Sequence, residues 1–157
     1  MSLKEIFDLP YFHGRLTDEE AYDLCQEELT STGKPQVYIW HLSEIDGELH
    51  GRICGYHRDS EVPFVFPYPY SHMPAMMPFM DDLRIENENF VERKNPHQLQ
   101  ELARVAILDS LDYCCLKNLI QRIDELQLPV MEKEELKKLV RGFKVVLASK
   151  VPNPYEL

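Results

Sequence analysis

The chain has 157 residues, of which 44% are hydrophobic and 28% are charged, and this composition is typical of one globular domain or two small ones. Its formal net charge is −10, and residues 1–95, with 18 acidic and 8 basic residues, account for the whole excess. Such a field argues against nucleic acid or an anionic membrane as the partner of that part.

The first predicted helix lies within residues 11–29, "YFHGRLTDEEAYDLCQEEL". Thr17 followed three residues later by Glu20 has the spacing of a capping box, which marks a helix start. Apolar residues after it recur on one helical face. Gly33 and Pro35 are expected to end the helix.

Two strands are predicted next, "VYIWHL" at 37–42 and "LHGRICGY" at 49–56. Both are rich in β-branched and aromatic residues, and an Asp-Gly turn lies between them. The sequence therefore predicts a β-hairpin.

Residues 62–80, "VPFVFPYPYSHMPAMMPFM", hold five of the eleven prolines and four of the six methionines. Proline at this density excludes a central strand or a long helix. One interpretation is a binding loop, because methionine and aromatic side chains adapt to partners. The other is an irregular strand and loop packed on the core. The candidate target-contacting residues are Tyr68, Tyr70, Met76, Met77 and Phe79.

After a polar segment that ends in Asn95-Pro96 the chain is predicted to be helical, over 97–113, about 116–126, and 132–148, with Pro129 breaking the series. In the first of these helices an apolar stripe recurs at three- and four-residue steps, with polar residues opposite. The stripe contains Leu99, Leu102, Ala103, Ala106, Ile107 and Leu111, and the polar side contains Gln100, Glu101, Arg104 and Asp109. Val105 and Leu108 lie off the stripe, so the helix has a second apolar face, and one of the two is available to a partner.

The stretch "LQELARVAI" resembles the elongin-binding BC box of the SOCS box. That pattern is leucine, three residues, a small residue, three residues and an aliphatic, which Leu99, Ala103 and Ile107 meet. The resemblance implies that Leu99 enters a pocket on elongin C and that Ala103 permits close approach, with Leu102 beside it. It also implies elongin B as a partner.

About twenty residues later, "IDELQLP" resembles the cullin box of the same family. The residues that carry the likeness are Ile123, Leu126, Leu128 and Pro129. Gln127 replaces the first proline of the family element. The resemblance implies contact with a cullin, cullin-5 in the first instance, and makes residues 96–150 a SOCS-box-like module.

The segment "LPYFHGRLTDEEAYDLC" resembles the opening of an SH2 domain, which implies an SH2-like domain over residues 9–94, with a small antiparallel sheet and a flanking helix. In that family an arginine on the next strand binds phosphotyrosine by a bidentate contact. Here His41 stands in its place, and Asp18 stands near the position of an assisting arginine. His50 and Arg52, in "HGRI", resemble the strand that flanks the pocket. Because only eight residues separate His41 from His50, either a central strand is shortened or lost, or "HGRI" is itself the central strand and the match is accidental.

Other kinds of site have weaker signals. His50, Cys54 and His57 have a spacing that starts a zinc site, but no fourth ligand follows at suitable spacing. Cys25 and Cys54 occupy apolar periodic positions, which favours a core role over catalysis. No disulfide framework, secretory signal or membrane-length apolar run is recognised, so a cytoplasmic or nuclear location is expected.

The sequence thus predicts an α+β protein, non-catalytic and without a cofactor, that recruits a target protein to an elongin BC–cullin-RING ubiquitin ligase. The same sequence features are expected of a pathogen protein that redirects a ubiquitin ligase of its host. The alternative is a phosphotyrosine- or peptide-binding adaptor or inhibitor without a link to a ligase, whose helical tail packs on its own domain. For either function, the replacement of arginine by His41 predicts weak or absent phosphotyrosine binding.

Overall fold

The computed structural model describes residues 2–58, 64–65, 89–148 and 150–151. Within these residues the chain forms six helices and one four-stranded sheet, which confirms the α+β class. The helices are α1 (Leu3–Phe7), α2 (Asp18–Thr32), α3 (Leu99–Ser110), α4 (Leu116–Asp124), α5 (Val130–Gly142) and α6 (Lys144–Ala148). The strands are β1 (Phe12–Arg15), β2 (Gln36–Ile45), β3 (Glu48–His57) and β4 (Phe64–Val65).

Local sequence signals set the start and end of α2 and the hairpin. Thr17 and Glu20 form both hydrogen bonds of the predicted capping box, and Gly33 ends the helix in the left-handed region at φ +71°. Asp46 and Gly47 connect β2 to β3 with positive φ angles of 52° and 77°, as a tight two-residue hairpin turn requires.

The sheet has the strand order β1-β2-β3-β4. β1 runs parallel to β2 and is connected to it through α2, whereas β2, β3 and β4 are successively antiparallel. The sheet is therefore mixed, and the expectation of an antiparallel sheet is corrected. The segment "HGRI" lies in β3, directly paired with β2. This pairing excludes a shortened strand between them and fits both the loss of one strand and an accidental match.

Alternating side chains of β2 face two different layers. One layer is α2, whose Ala21, Cys25 and Leu29 pack against Val37 and Ile39 of the strand. The other layer begins with Trp40 and Leu42 and continues without interruption into α1 and the C-terminal helices. The C-terminal helices therefore share one hydrophobic core with the sheet.

The last predicted helix, 132–148, divides into α5 and α6 at Phe143. The backbone of Phe143 leaves the helical region, at φ −115° and ψ 25°, and its ring is buried beside Phe7 and Phe12. The helix starts earlier than predicted, at Val130, because Pro129 lies at the N-cap. The helices predicted over 97–113 and 116–126 are shorter, ending at Ser110 and Asp124.

Candidate functional site

The outward face of α3 carries the predicted elongin-binding residues. Leu99 is 84% exposed, and Ala103 and Ala106 follow it on the exposed side of the helix. Leu102 and Ile107 are partly buried at the edges of this face and pack against the core. The face thus presents a leucine at the first turn followed by small residues, with aliphatic side chains along its borders.

The two apolar faces of α3 differ in burial. Val105 and Leu108, which lie off the stripe, are buried in the core, and Glu101 is only 8% exposed. Glu101 does lie on the side opposite the stripe, and that side is the one that faces the core. The carboxylate of Glu101 is turned inward because basic side chains from elsewhere in the fold meet it there.

Charged residues from three elements surround Glu101. Its Oε2 lies 2.8 Å from Nε of Arg15 at the end of β1 and 3.7 Å from Nη1 of Arg104. Arg15 also donates to Glu135 of α5. Burial alone would raise the pKa of Glu135, but hydrogen bonds from Arg15 and Lys138 outweigh it and hold that pKa below its usual value. The ion pairs that join Arg15 to Glu101 and to Glu135 were not predicted from the sequence.

The start of α3 and the start of α5 are held side by side by Glu132. This carboxylate accepts hydrogen bonds from Gln100 at 2.9 Å and from Arg104 at 3.0 Å. The hydrogen bond from Arg104 is the largest influence on the pKa of Glu132, which it lowers, and the same contact raises the pKa of Arg104. Leu99 and Met131 are the chain neighbours of the paired residues Gln100 and Glu132.

The predicted cullin-binding residues occupy different depths. Ile123 is fully buried in the core, so it supports the segment and offers no surface to a partner; its assignment as a contact is corrected. Leu126 and Leu128 are partly buried against the core, and Pro129 is exposed. The next two residues, which the prediction did not include, are the most exposed: Val130 at 74% and Met131 at 81%. We call Leu99, Ala103, Ala106, Val130 and Met131 the α3–α5 face.

The three candidates for a phosphotyrosine pocket are not equally accessible. His41 pairs with Arg52 across β2 and β3, and Ser43 pairs with His50. His50 is exposed and Arg52 is half-buried, whereas His41 has no exposed surface. The structure therefore contradicts a direct ligand contact by His41, because its ring is sealed on the α2 side of the sheet.

Burial is the main influence on His41 and lowers its pKa, against the opposing effects of the Leu42 backbone and of Asp18. The ring is therefore neutral at pH 7. Its Nε2 lies 3.9 Å from Sγ of Cys54, whose own pKa burial raises to about 11. Cys25 and Cys54 are buried, as predicted for core residues. A neutral imidazole beside a protonated thiol gives no positive charge to bind phosphate.

A carboxylate already occupies the neighbourhood of Arg52. The side chain of Asp18, at the first turn of α2, lies 3.3 Å from Nη1 of Arg52 and accepts a hydrogen bond from Ser43 at 3.2 Å. Arg52 and Ser43 are thereby both engaged by Asp18, whose own side chain is 70% exposed. Asp18 stands near the position of an assisting arginine, and its link to Ser43 and Arg52 is not predicted by the sequence.

A depression of about 270 Å³ opens beside this cluster, between the start of α2 and the end of β2. We call it the α2–β2 depression; its lining residues are Arg15, Leu16, Thr17, Asp18, Glu20, Leu42, Ser43, Glu44 and Ile45. Three of these are carboxylates. The one basic member, Arg15, is paired with Glu101 and Glu135, so the depression offers no unengaged cation.

The remaining candidates are only partly placed. Tyr68, Tyr70, Met76, Met77 and Phe79 lie outside the described residues. Of the possible zinc ligands, His50 and His57 are exposed on β3 and Cys54 is buried. The described part of the chain contains no group of three or more His, Cys, Asp or Glu side chains arranged to hold a metal ion. No helix in that part has the length and apolar character needed to cross a bilayer.

No protein-family model matches the chain, and no curated protein sequence matches it significantly.

Proposed function

We propose that this chain is the substrate-recruiting subunit of an elongin BC–cullin-RING ubiquitin ligase. Its SOCS-box-like helices dock elongin C, with elongin B, and a cullin of the cullin-5 type, and its SH2-like domain binds the target protein. The chain performs no chemistry. It acts by raising the concentration of the target near the ubiquitin-loaded enzyme.

The exposed leucine of α3 is the observation that carries this proposal. Leu99 is 84% exposed, and burying such a side chain against a partner contributes roughly 1.5–3 kcal/mol. Ala103 and Ala106 leave room for another backbone to come close to the helix. The order Leu99, Ala103, Ile107 is that of the BC box, and the inward residues Val105 and Leu108 keep this face free.

The junction before α5 supports a second contact on the same side of the molecule. Pro129, Val130 and Met131 are exposed, and Glu132 ties their helix to Gln100 beside Leu99. A cullin that touches this junction would therefore lie next to the elongin bound on α3. We assign the cullin contact to Pro129, Val130 and Met131, with Leu126 and Leu128 at its edge.

The topology of the N-terminal part supports the SH2-like assignment. A short strand, a helix and a hairpin follow one another, with β1 parallel to β2 and α2 on one face of the sheet. The phosphate site of such a domain is closed here by the Asp18–Arg52 pair and by the burial of His41. We infer that target binding does not require phosphotyrosine.

The shared core favours one alternative. Because the C-terminal helices cover one face of the sheet, they stabilise the N-terminal part whether or not a ligase is bound. An adaptor or inhibitor that binds peptides and uses these helices only as structure is the competing function. In that case Leu99 would have no partner.

Co-expression with elongins B and C separates the two functions. The wild-type chain is expected to co-purify with both elongins, and Leu99→Asp to lose at least about 100-fold in affinity, because it places a charge in an apolar pocket. Ala103→Phe is expected to act in the same direction by preventing close approach. Failure of the wild-type chain to capture elongins would contradict the proposal.

A matched control is Met131→Asp, which changes an equally exposed apolar residue on the neighbouring helix. It is expected to leave elongin capture unchanged. Both variants alter exposed positions, so their unfolding free energies should stay within about 0.5 kcal/mol of the wild type. An equal loss of elongin capture by both variants would show that Leu99 has no special role.

A further inference from the structure

Arg15 connects the N-terminal sheet to two C-terminal helices. It is the last residue of β1, and its side chain is 23% exposed. The guanidinium reaches Glu101 on α3 and Glu135 on α5, whose side chains are 11% and 24% exposed. It therefore joins elements that lie more than eighty residues apart in the chain.

The contact with Glu101 uses two points of the guanidinium. Nε lies 2.8 Å from Oε2, an ion-pair distance without good hydrogen-bond geometry, and Nη2 donates to Oε1 at 3.3 Å. The third nitrogen, Nη1, donates to Glu135. A planar fork holds both carboxylates at once and restricts their orientation, which a lysine ammonium does not do.

The position of Glu101 on α3 makes this contact one of the interactions that set which face of the helix is exposed, together with the burial of Val105 and Leu108. Successive residues of an α-helix are about 100° apart, so Glu101 lies about 200° around the axis from both Leu99 and Ala103. A carboxylate drawn inward to Arg15 therefore turns Leu99 and Ala103 outward. Arg104, one turn after Glu101, makes a second connection between α3 and α5 through its ion pair with Glu132.

We propose that Arg15 is the positioning residue of the elongin-binding helix: through Glu101 and Glu135 it fixes the rotation of α3 and its placement beside α5, and so keeps Leu99 and Ala103 presented. This inference rests on the proposed function for its ligand, but the rotation of α3 is a property of the free protein. In this role Arg15 acts through α3 and α5 and not by contact with elongin.

The test compares Arg15→Ala with Arg93→Ala in the full-length chain. Arg93 is a matched control because it is also half-buried and also structural, donating to the carbonyls of Phe7, Leu9, Phe12 and Asn95, and none of these hydrogen bonds reaches α3. Arg15→Ala is expected to weaken elongin BC binding at least about tenfold, and Arg93→Ala less than about threefold even where its melting temperature falls as far.

Arg15→Lys should recover only part of the binding, because an ammonium serves one carboxylate well. Equal affinities of the Arg15→Ala and Arg93→Ala proteins, with the wild type binding, would overturn the positioning role and leave the proposed function intact. If the wild type does not bind elongins, the proposed function fails separately. Hydrogen exchange over residues 99–110 then tests the positioning role: Arg15→Ala must accelerate it more than Arg93→Ala does.

Discussion

The α2–β2 depression and the α3–α5 face differ in whether their side chains already have partners within the protein. In and around the depression the charged groups have partners within the protein: Asp18 with Arg52, Glu44 with Lys138, and Arg15 with Glu101. On the α3–α5 face, Leu99, Val130 and Met131 are each at least 74% exposed.

In the depression the charged groups already have partners within the protein. On the α3–α5 face, burial of the apolar side chains by a partner would be favourable in free energy. A phosphate that approaches Arg52 must compete with the Asp18 carboxylate, whereas a partner covering the α3–α5 face removes apolar surface from water. The sequence resembles a family motif in both places. The exposure of the apolar residues favours the C-terminal one as the proposed interface.

The largest expected effect tests the two sides of α3 against each other. Leu108→Ala removes a fully buried side chain and should lower the unfolding free energy by about 2–5 kcal/mol, because it leaves a cavity. Leu99→Ala should change it by less than about 0.5 kcal/mol, because Leu99 is in solvent. Urea denaturation measures both. Similar losses in the two proteins would mean that α3 packs with its apolar stripe inward.

A second expectation divides the α3–α5 face into two contacts. Met131→Asp should weaken binding of the cullin to the preformed complex with elongins by about tenfold or more, because it places a charge where apolar surface is buried. Binding of elongin BC itself should not change. Titration of purified cullin into the two complexes measures the difference. Unaltered cullin affinity would place that contact elsewhere on the chain.

Local sequence signals predicted the elements of this fold well. The Thr17–Glu20 capping box and the Asp46–Gly47 turn act within three or four residues, and both form as expected. The burial of Glu101 could not be predicted in the same way. Periodicity places Leu102 and Ala106 with Leu99 and Glu101 opposite them, but the burial of Glu101 depends on Arg15, a contact that arises only once β1 and α3 meet.

The same limit applies to the candidate sites. The BC-box pattern identified Leu99 and Ala103, which are exposed, but the cullin-box pattern included Ile123, which is buried in the core. A sequence motif gives the spacing of residues along a helix, but it does not predict which turn of that helix packs against the sheet. The register that places Arg52 opposite His41, and the Asp18 carboxylate beside it, likewise comes from strand pairing and tertiary packing.

A third, smaller effect concerns pH and the α2 side of the sheet. Burial lowers the pKa of His41, so near and below pH 6.5 the unfolded chain binds a proton that the folded protein does not. The stability contributed by neutral His41 is therefore lost as pH falls from about 6.5 toward its folded pKa. Burial also lowers the pKa values of His13 and His97.

His41→Leu should give a shallower loss of stability between pH 7 and pH 5, measured by urea denaturation at several pH values. The replacement removes the contact of Nε2 with Sγ of Cys54, at 3.9 Å, so the comparison uses the change of stability with pH and not its absolute value. A slope unchanged from the wild type would mean that His41 binds protons equally in the folded and the unfolded chain.

The smallest expected effect is the difference in affinity between a phosphotyrosine peptide and the same peptide without phosphate. A phosphotyrosine peptide should bind no more than about threefold tighter than its unphosphorylated form, because His41 is neutral and buried and Arg52 is held by Asp18. Asp18→Asn should increase any phosphate preference by releasing Arg52, and Glu19→Asn, at the next exposed position of α2, should not. Micromolar, phosphate-dependent binding by the wild type that disappears in Arg52→Ala would contradict the contrast between the two surfaces, because Arg52 would then bind phosphate in competition with Asp18.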